Sequence, residues 1–560
     1  MPKHYSRRNF IKLSTASALA ASSWWGAACN FSKDFDLILA GGLVIDGSGQ
    51  PGRIGDVGIA GGKIVAVGDL KNRSTARKID SSGLAVAPGF IDFHSHSDDE
   101  LLLGGETQAK IRQGVTTEVL GQDGGSMAPL NPKMKAELHE RLHERLGIQT
   151  EWEDFAGYFQ QLERGGMITN AISMLGQGTL RECVVGEDDR PATAAEIEKM
   201  KQLAQTAFQQ GAYGISSGLE YTPGSFASTE EIIEICKTMN GRGIYSTHMR
   251  NEDDTVIEAL QEAIYIADTA GITLNISHMK ASGQRNWHKL PDMIRLLEDA
   301  RNNGMRVTCD RYPYVAYNTG LSSLFPLWSR DGGREKFVAR LQDASQLPAI
   351  KAAVMEKVSR IGGWQSVMVS SLPKNPDRKN YEGKHLQELS QNGSGAFDIL
   401  IELILKEEGR GDMVGFAMSE ENTAMLLAYP HCMTASDASS LAVEGRLRRG
   451  NPHPRGYGTF PRVLGKYVRE DGIMPLEEAV RKITSLPAEC LGLPDRGYLK
   501  EGYWADIAIF DPLTVIDNAT WSEPHQYPTG IPYVIVNGEV VIDQETFSGK
   551  LAGKVLRAKN

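Results

Sequence analysis

Residues 90–100 read FIDFHSHSDDE, placing His94 and His96 one residue apart at the end of an apolar run, with acids directly behind. In a strand, residues i and i+2 share a face, so both imidazoles project the same way and can grip one ion. A bare H-x-H pair also fits two polar residues where a strand meets its loop. Four further groups share this placement: Asp123 in GVTTEVLGQDGGSMAPL, His248 in YSTHMRNE, His278 in NISHMKASG and Asp437 in MTASDASS. Singly, each is explained by a histidine bonded to a backbone carbonyl or an aspartate capping the next helix. Together, three His-bearing and two Asp-bearing strand ends suit zinc, which takes imidazole and carboxylate and needs three protein ligands plus water.

The elements that must position these groups alternate. TAAEIEKMKQLAQTAFQQGA is helical and leads to YGISSGLEY; STEEIIEICKTMNGRG leads to IYSTHMR; DTVIEALQEAIYIADTAG leads to ITLNISHMK; LPDMIRLLEDARNNG leads to MRVTCDRYPY. A helix closing at glycine before a β-rich run, repeated, predicts parallel βα units and a (β/α)8 TIM-like barrel, an α/β fold. His94, His96, Asp123, His248, His278, Tyr312 and Asp437 then fall at the C-terminal strand ends, the rim where barrels keep their chemistry. At both chain ends, short glycine-punctuated strands (DLILAGGLVID, DVGIAGGKIVAVG; GYLKEGYWADIAIFDP, PYVIVNGEVVID) predict one small β-sandwich built from both termini. The expected boundaries are 34–87 and 487–560 for the sandwich and 88–486 for the barrel, with an insertion at about 325–412 that breaks the rhythm.

The 560 residues suffice for a large barrel plus a module, and a net charge of −10 argues against nucleic acid or an anionic membrane surface as main partner. Residues 1–29 differ in kind: SRRNFIK followed by LSTASALAASSWWGAA resembles a bacterial twin-arginine export signal, which implies a periplasmic protein. Cys29 is a lipid-anchor candidate, the one route to a membrane, although Gly26 stands where such signals usually have Leu. The other five cysteines form no C-x-x-C pair and read as buried thiols.

Two motifs point elsewhere. HERLH at 139–143 satisfies the H-E-x-x-H protease pattern, but Leu138, Leu142 and Leu146 form the apolar stripe of a solvated amphipathic helix and the histidines lie beside it. GISSG at 214–218 matches a serine-hydrolase elbow, with Asp437 and His453 following in the right order. The elbow needs a helix after the serine, and the segment continues as LEYTPGSFAS, so its glycines read as room for close packing.

The ordered set H-x-H, GVTT…G, THMR.E, SHMK.SG, D.YPY, SD and HPR..GTFPRVL resembles the D-aminoacylases, the N-acyl-D-amino-acid deacylases of the amidohydrolase superfamily. It covers nearly everything after residue 35, apart from the inserted stretch. The resemblance implies hydrolysis of linear amides whose amine half is a D-amino acid, including dipeptides ending in a D-residue. It implies one tightly bound zinc at Asp123, His248 and His278, with His94 and His96 beside a second, weaker site, and Asp437 as acid/base. It further implies that Arg455 and Tyr312 grip the substrate carboxylate, that Asn318 stands where the family usually has Ser, and that Lys280 matches the family lysine. Two departures stand out. Asp123 replaces the family's usual Cys, which makes the site harder and opens it to other divalent metals, and ASSLAVEGRLRRGNPHP lengthens the stretch between Asp437 and Arg455. The alternatives are a cyclic-amide hydrolase of the same superfamily, for which no bridging lysine is evident, and an exported binding protein without turnover.

Overall fold

The computed structural model describes residues 34–390 and 395–558. The expected export signal at 1–29, with Cys29, lies outside the described residues. No described helix is long and apolar enough to cross a membrane.

The two chain ends meet in one nine-stranded sheet. Its seam is the antiparallel pairing of Ala85–Pro88 with Ile507–Phe510, Ala87 opposite Ala508. Alternation sorts the faces. Leu37, Leu39, Val57, Ile59, Ile507 and Ile509 share one apolar core. Ala85, Ala87, Ala508 and Phe510 turn the other way and pack with Phe90, Ile111 and Val115 of the middle domain. Both faces are covered, which locks the terminal module to the strands that carry the chemistry.

The middle of the chain is α/β, and its strands run parallel. Phe90–Asp92, Val115–Leu120 and Asn170–Ser173 form one sheet. Leu175–Gly176, Gly214–Gly218, Ile244–His248, Thr273–Ile276, Val307–Arg311 and Cys432–Thr434 form another, ordered by sequence. Met174 alone separates the two, and a parallel bridge between Ser95 and Ala438 joins their far ends. Every residue of Gly214–Gly218, Ile244–His248 and Val307–Arg311 is buried, as expected where helices cover a parallel sheet. The intervening helices have the termini their sequences promise. Thr193 and Glu196 make a reciprocal capping box before Ala194–Gln209, and Val256–Ala270 ends at Gly271 in the left-handed region.

Between Val307–Arg311 and Cys432–Thr434 the chain builds a separate layer. Tyr317–Gly320, Asp412–Gly415 and Val367–Ser371 form an antiparallel sheet. Helices Leu347–Arg360 and Ala396–Lys406 pack on it around Ile350, Val354, Leu400 and Met413. This layer overhangs the C-terminal strand ends and delivers Asn318 and Lys357 to the cavity below.

Candidate metal centre and active site

The parallel strands deliver the five metal-ligand candidates and Asp437 to one place. His248 is the last residue of its strand. His94 and His96 follow Phe90–Asp92, Asp123 follows Val115–Leu120, His278 follows Thr273–Ile276 and Asp437 follows Cys432–Thr434, each within a few residues. The ligand atoms of Asp123, His248 and His278 lie within 4.8 Å of one another, as do those of His94, His96, Asp123 and Asp437. Asp123 belongs to both groups. Its Oδ2 stands 3.3 Å from His278 Nε2 and 3.6 Å from His96 Nε2, while Oδ1 stands 3.5 Å from His94 Nε2.

Imidazole nitrogens also face each other: His248 Nδ1 and His278 Nε2 at 3.0 Å, His94 Nε2 and His96 Nε2 at 3.2 Å. Neutral rings gain from such a contact only if one donates, and Asp123 Oδ1, though buried, has no hydrogen-bond partner at all. Nitrogen and carboxylate donors converging on common points, one of them orphaned, fit a divalent cation.

The backbone is held in unusual conformations to achieve this. Asp123, His278 and Asp437 have φ of 52°, 36° and 51°, in the left-handed region that non-glycine residues seldom occupy. Asp437 N–H donates to the His94 carbonyl at 2.8 Å, and His278 N–H donates to Asp310 Oδ1 at 2.8 Å. A Cβ on Gly218 would meet the Asp123 carbonyl oxygen at 2.1 Å, so glycine there is what lets the Asp123 loop approach.

The electrostatics match. Burial pulls the His94 imidazole down, but Asp123, Asp310 and Asp437 outweigh it and hold its pKa well above the usual value. His278 behaves alike: burial and Lys280 lower its pKa, Asp123, Glu252 and Asp437 raise it, and it ends at about 9. Burial raises the Asp123 carboxyl, yet His94 and His278 bring it well below the ordinary range. For Asp437, burial is likewise overcome, first by Arg455 and then by His278 and His94, so it stays ionised. Such a field draws positive charge, whether protons or a metal.

A cavity of about 490 Å³ opens on this cluster, with His96, Lys280, Asn318 and Arg455 on its wall. Arg455 Nη1 donates to Asp437 Oδ2 at 2.7 Å, and its buried Nε has no partner. Tyr312, expected to grip the carboxylate with Arg455, is fully buried and not on the cavity wall; its ring lies 4.6 Å from the Arg455 guanidinium, which places it to brace that arginine instead. Lys280 Nζ donates to Glu252 Oε1 at 2.5 Å.

Several residues here went unread in the sequence. Asp310 lies 3.4 Å from His94 Nδ1. Glu252 lies 3.1 Å from His278 Nδ1, and Glu220 lies 3.6 Å from His248 Nε2. Glu252 and Asp310 had a signal, since Glu252 closes the THMR.E motif four residues after His248 and Asp310 opens D.YPY; Glu220 had none beyond sitting near a strand end. The reading of the HERLH helix as solvated needs one correction, at Arg145. Its helix, Pro132–Leu146, buries Leu138, Leu142 and Leu146 and exposes His139 and His143, as the pattern predicts. Yet Arg145 does not sit on a solvated face: it pairs with Asp99 and Glu100 at 2.6 and 3.1 Å and reaches the cavity wall. The acids behind His96 anchor this arginine. In GISSG, Ser216 Oγ donates to the Gly121 carbonyl and Ser217 Oγ bonds Tyr245 and Thr247, all inside the strand layer, so neither hydroxyl is a free nucleophile.

Residues 445–542 match the model of an amidohydrolase family. A D-aminoacylase of Alcaligenes xylosoxydans xylosoxydans is 38% identical over 530 residues, covering 94% of this chain and 98% of the relative. A solved D-aminoacylase with a binuclear metal centre superposes with a TM-score of 0.78 at 37% identity, over 94% of this chain and 100% of that one. An N-acyl-D-glutamate deacylase from Bordetella bronchiseptica, solved with zinc and a phosphonate mimic of the tetrahedral intermediate, does so with a TM-score of 0.78 at 31% identity and the same coverage. Similarity of this extent, over more than nine-tenths of the chain, makes this protein a member of the D-aminoacylase family of N-acyl-D-amino-acid deacylases.

Proposed function

We propose that this chain is a metal-dependent amidohydrolase that cleaves the linear amide of N-acyl-D-amino acids, or of dipeptides ending in a D-residue, and releases the free D-amino acid. The observation that carries the reading is the meeting of Asp123, His248 and His278 within 4.8 Å, beside an Asp437–Arg455 pair on the cavity wall. Zinc is the proposed metal, held tightly by those three residues, with His94 and His96 serving a weaker second site beside Asp437. Bound there, the cation supplies the Lewis acidity that makes water nucleophilic at neutral pH and polarises the scissile carbonyl.

The chain's own residues supply the rest. Asp437, kept ionised, takes the proton of the attacking water and returns it to the departing nitrogen. Arg455, on the cavity wall, fixes the substrate α-carboxylate in two-point fashion. Tyr312 braces the guanidinium from behind, and Asn318 and Lys280 flank the carboxylate from the wall. Fixing carboxylate, side chain and carbonyl at three separate places makes the site handed. Asp123 in place of cysteine keeps a ligand at that position and admits harder metals.

The architecture proposed around this chemistry is a (β/α)8 barrel, residues 88–486, closed where Ser95 meets Ala438, with an insertion at about 325–412. The terminal sheet folds over its shared apolar core as a β-sandwich from 34–87 and 487–560. Residues 1–29 export the protein to the periplasm, where it would scavenge D-residue peptides.

Amine release from a matched panel of N-acetyl-D-amino acids, their L-enantiomers, L-Xaa-D-Xaa dipeptides and hydantoins tests the reading. Turnover of the D-configured linear amides supports it; turnover of hydantoins alone would favour a cyclic-amide hydrolase.

A further inference from the structure

Behind the ligand histidines lies a second group, Glu220, Glu252, Lys280 and Lys357, of which the proposed chemistry uses only Lys280. Glu220, His248 and Glu252 place ligand atoms within 4.8 Å of one another, yet this is a poor place for another cation. Lys280 Nζ already sits 2.5 Å from Glu252 Oε1, and Lys357 Nζ, 3.0 Å from Asp253, lies close enough to Glu220 to be its main electrostatic partner. The two lysines already occupy these carboxylates, which leaves little for a dication to gain there.

The contacts around His278 Nδ1 are more telling. Glu252 Oε1 stands 3.1 Å from it and Lys280 Nζ stands 2.9 Å from it. The two neighbours make opposite demands. A carboxylate can only accept, so it requires a proton on Nδ1 and leaves Nε2 with a lone pair. An ammonium can only donate, so it requires a bare Nδ1 and puts the proton on Nε2. Nε2 is the nitrogen that faces Asp123 and His248. The second oxygen of Glu252 lies 3.9 Å from the remote nitrogen of His248, so one carboxylate addresses the outer side of both ligand rings.

We infer that Glu252 is a positioning residue that selects the metal-binding tautomer of His278 against the opposing pull of Lys280. Glu252, 3.1 Å from Nδ1, does this by offering an acceptor for Nδ1–H and by competing with the ring for the Lys280 ammonium, which stands 2.5 Å from its oxygen and 2.9 Å from Nδ1. Without Glu252, Lys280 is free to donate to Nδ1 and closes Nε2 to the metal. The inference rests on His278 being a metal ligand, and it predicts a dependence that packing alone would not give: the loss caused by removing Glu252 should require Lys280.

The test is zinc affinity of the full chain, measured by competition with a chromophoric chelator for wild type, Glu252→Ala, Lys280→Met and the double variant, with thermal melts to confirm folding. Outer partners of ligand histidines are commonly worth about 10–100-fold in metal affinity. The expected result is a loss of at least about tenfold in Glu252→Ala, near-wild-type affinity in Lys280→Met and recovery of most of the loss in the double variant. Zinc binding by Glu252→Ala equal to wild type would overturn the inference, as would a double variant as weak as the single one. The metal reading itself fails separately, if wild type and His278→Ala bind zinc alike.

Discussion

Arg455 Nη1 donates to Asp437 Oδ2 over 2.7 Å, so the group proposed to hold the substrate's carboxylate also holds the group proposed to move the proton. The pair is almost wholly buried. Arg455 is the largest electrostatic influence keeping Asp437 ionised. A substrate carboxylate on Arg455 shares that positive charge and leaves Asp437 more basic when the amide is in place. Binding and proton transfer are coupled through one guanidinium.

Arg455→Ala should therefore damage both steps, lowering kcat as well as raising KM, with kcat/KM down on the order of 100-fold or more. Arg455→Lys should restore little, because a point charge reproduces neither the fork nor the stacking on Tyr312. Steady-state kinetics on an N-acetyl-D-amino acid decide this. A change confined to KM would mean that Arg455 binds substrate without acting on Asp437.

Asp437→Asn should lower kcat by about 10²–10⁴-fold, the usual worth of a positioned acid/base. Zinc at the Asp123–His248–His278 group should be retained, because Asp437 belongs to the other cluster. Metal analysis alongside kinetics separates the roles. Loss of all zinc would make Asp437 chiefly a ligand.

Asp123→Cys exchanges a hard ligand for a soft one at a position shared by both clusters. Zinc should then bind more tightly relative to manganese. The ratio of the two dissociation constants, compared with wild type, is the readout. An unchanged ratio would show that Asp123 does not touch the metal.

How much of this site was legible in the sequence depended on how local each signal was. His94, His96, Asp123, His248, His278 and Asp437 announce themselves because each follows its own apolar strand, and strand ends can be read one at a time. Asp310 and Glu220 could not be read that way: their meaning comes from a histidine on a neighbouring strand, a relation that exists only once the strands are aligned. Lys357 is harder still, since it comes from the inserted helix Leu347–Arg360, outside the βα rhythm. The helix Pro132–Leu146 misled because it has a true apolar stripe. The stripe says where the core is, and not which acids from the His96 loop wait on the other side. At the fold level, the alternation of helix and strand was periodic enough to read, whereas the seam between Ala87 and Ala508 joins residues too far apart in sequence for any local pattern to register.

Gly218→Ala offers a structural check on the approach of the Asp123 loop. The added Cβ would meet the Asp123 carbonyl at 2.1 Å, and backbone cannot swing aside as a side-chain tip can. Destabilisation of about 1–3 kcal/mol is expected, with weaker zinc binding because the loop must retreat. A denaturant melt with a zinc titration tests it; unchanged values in both would mean that the loop is free to shift.

The pH dependence has a definite sign. His278, with a pKa of about 9, and His94, held well above its usual value, keep protons more tightly in the metal-free folded chain than in the unfolded one, where histidine titrates near about 6.5. Their stabilisation is full below about pH 6.5 and is lost as pH rises through about 9. Zinc must displace the same protons, so its apparent affinity should climb across that interval. Competition titrations at several pH values test this, and a flat profile would contradict it.

The most direct test of the whole account is zinc add-back. Metal-free full-length protein would be assayed on the best N-acetyl-D-amino acid and its L-enantiomer as zinc is titrated in. The account predicts no turnover without metal, then amine release that rises with zinc and is confined to the D-enantiomer. Turnover in the metal-free protein, equal cleavage of the L-enantiomer, or no cleavage of either with zinc bound would contradict it.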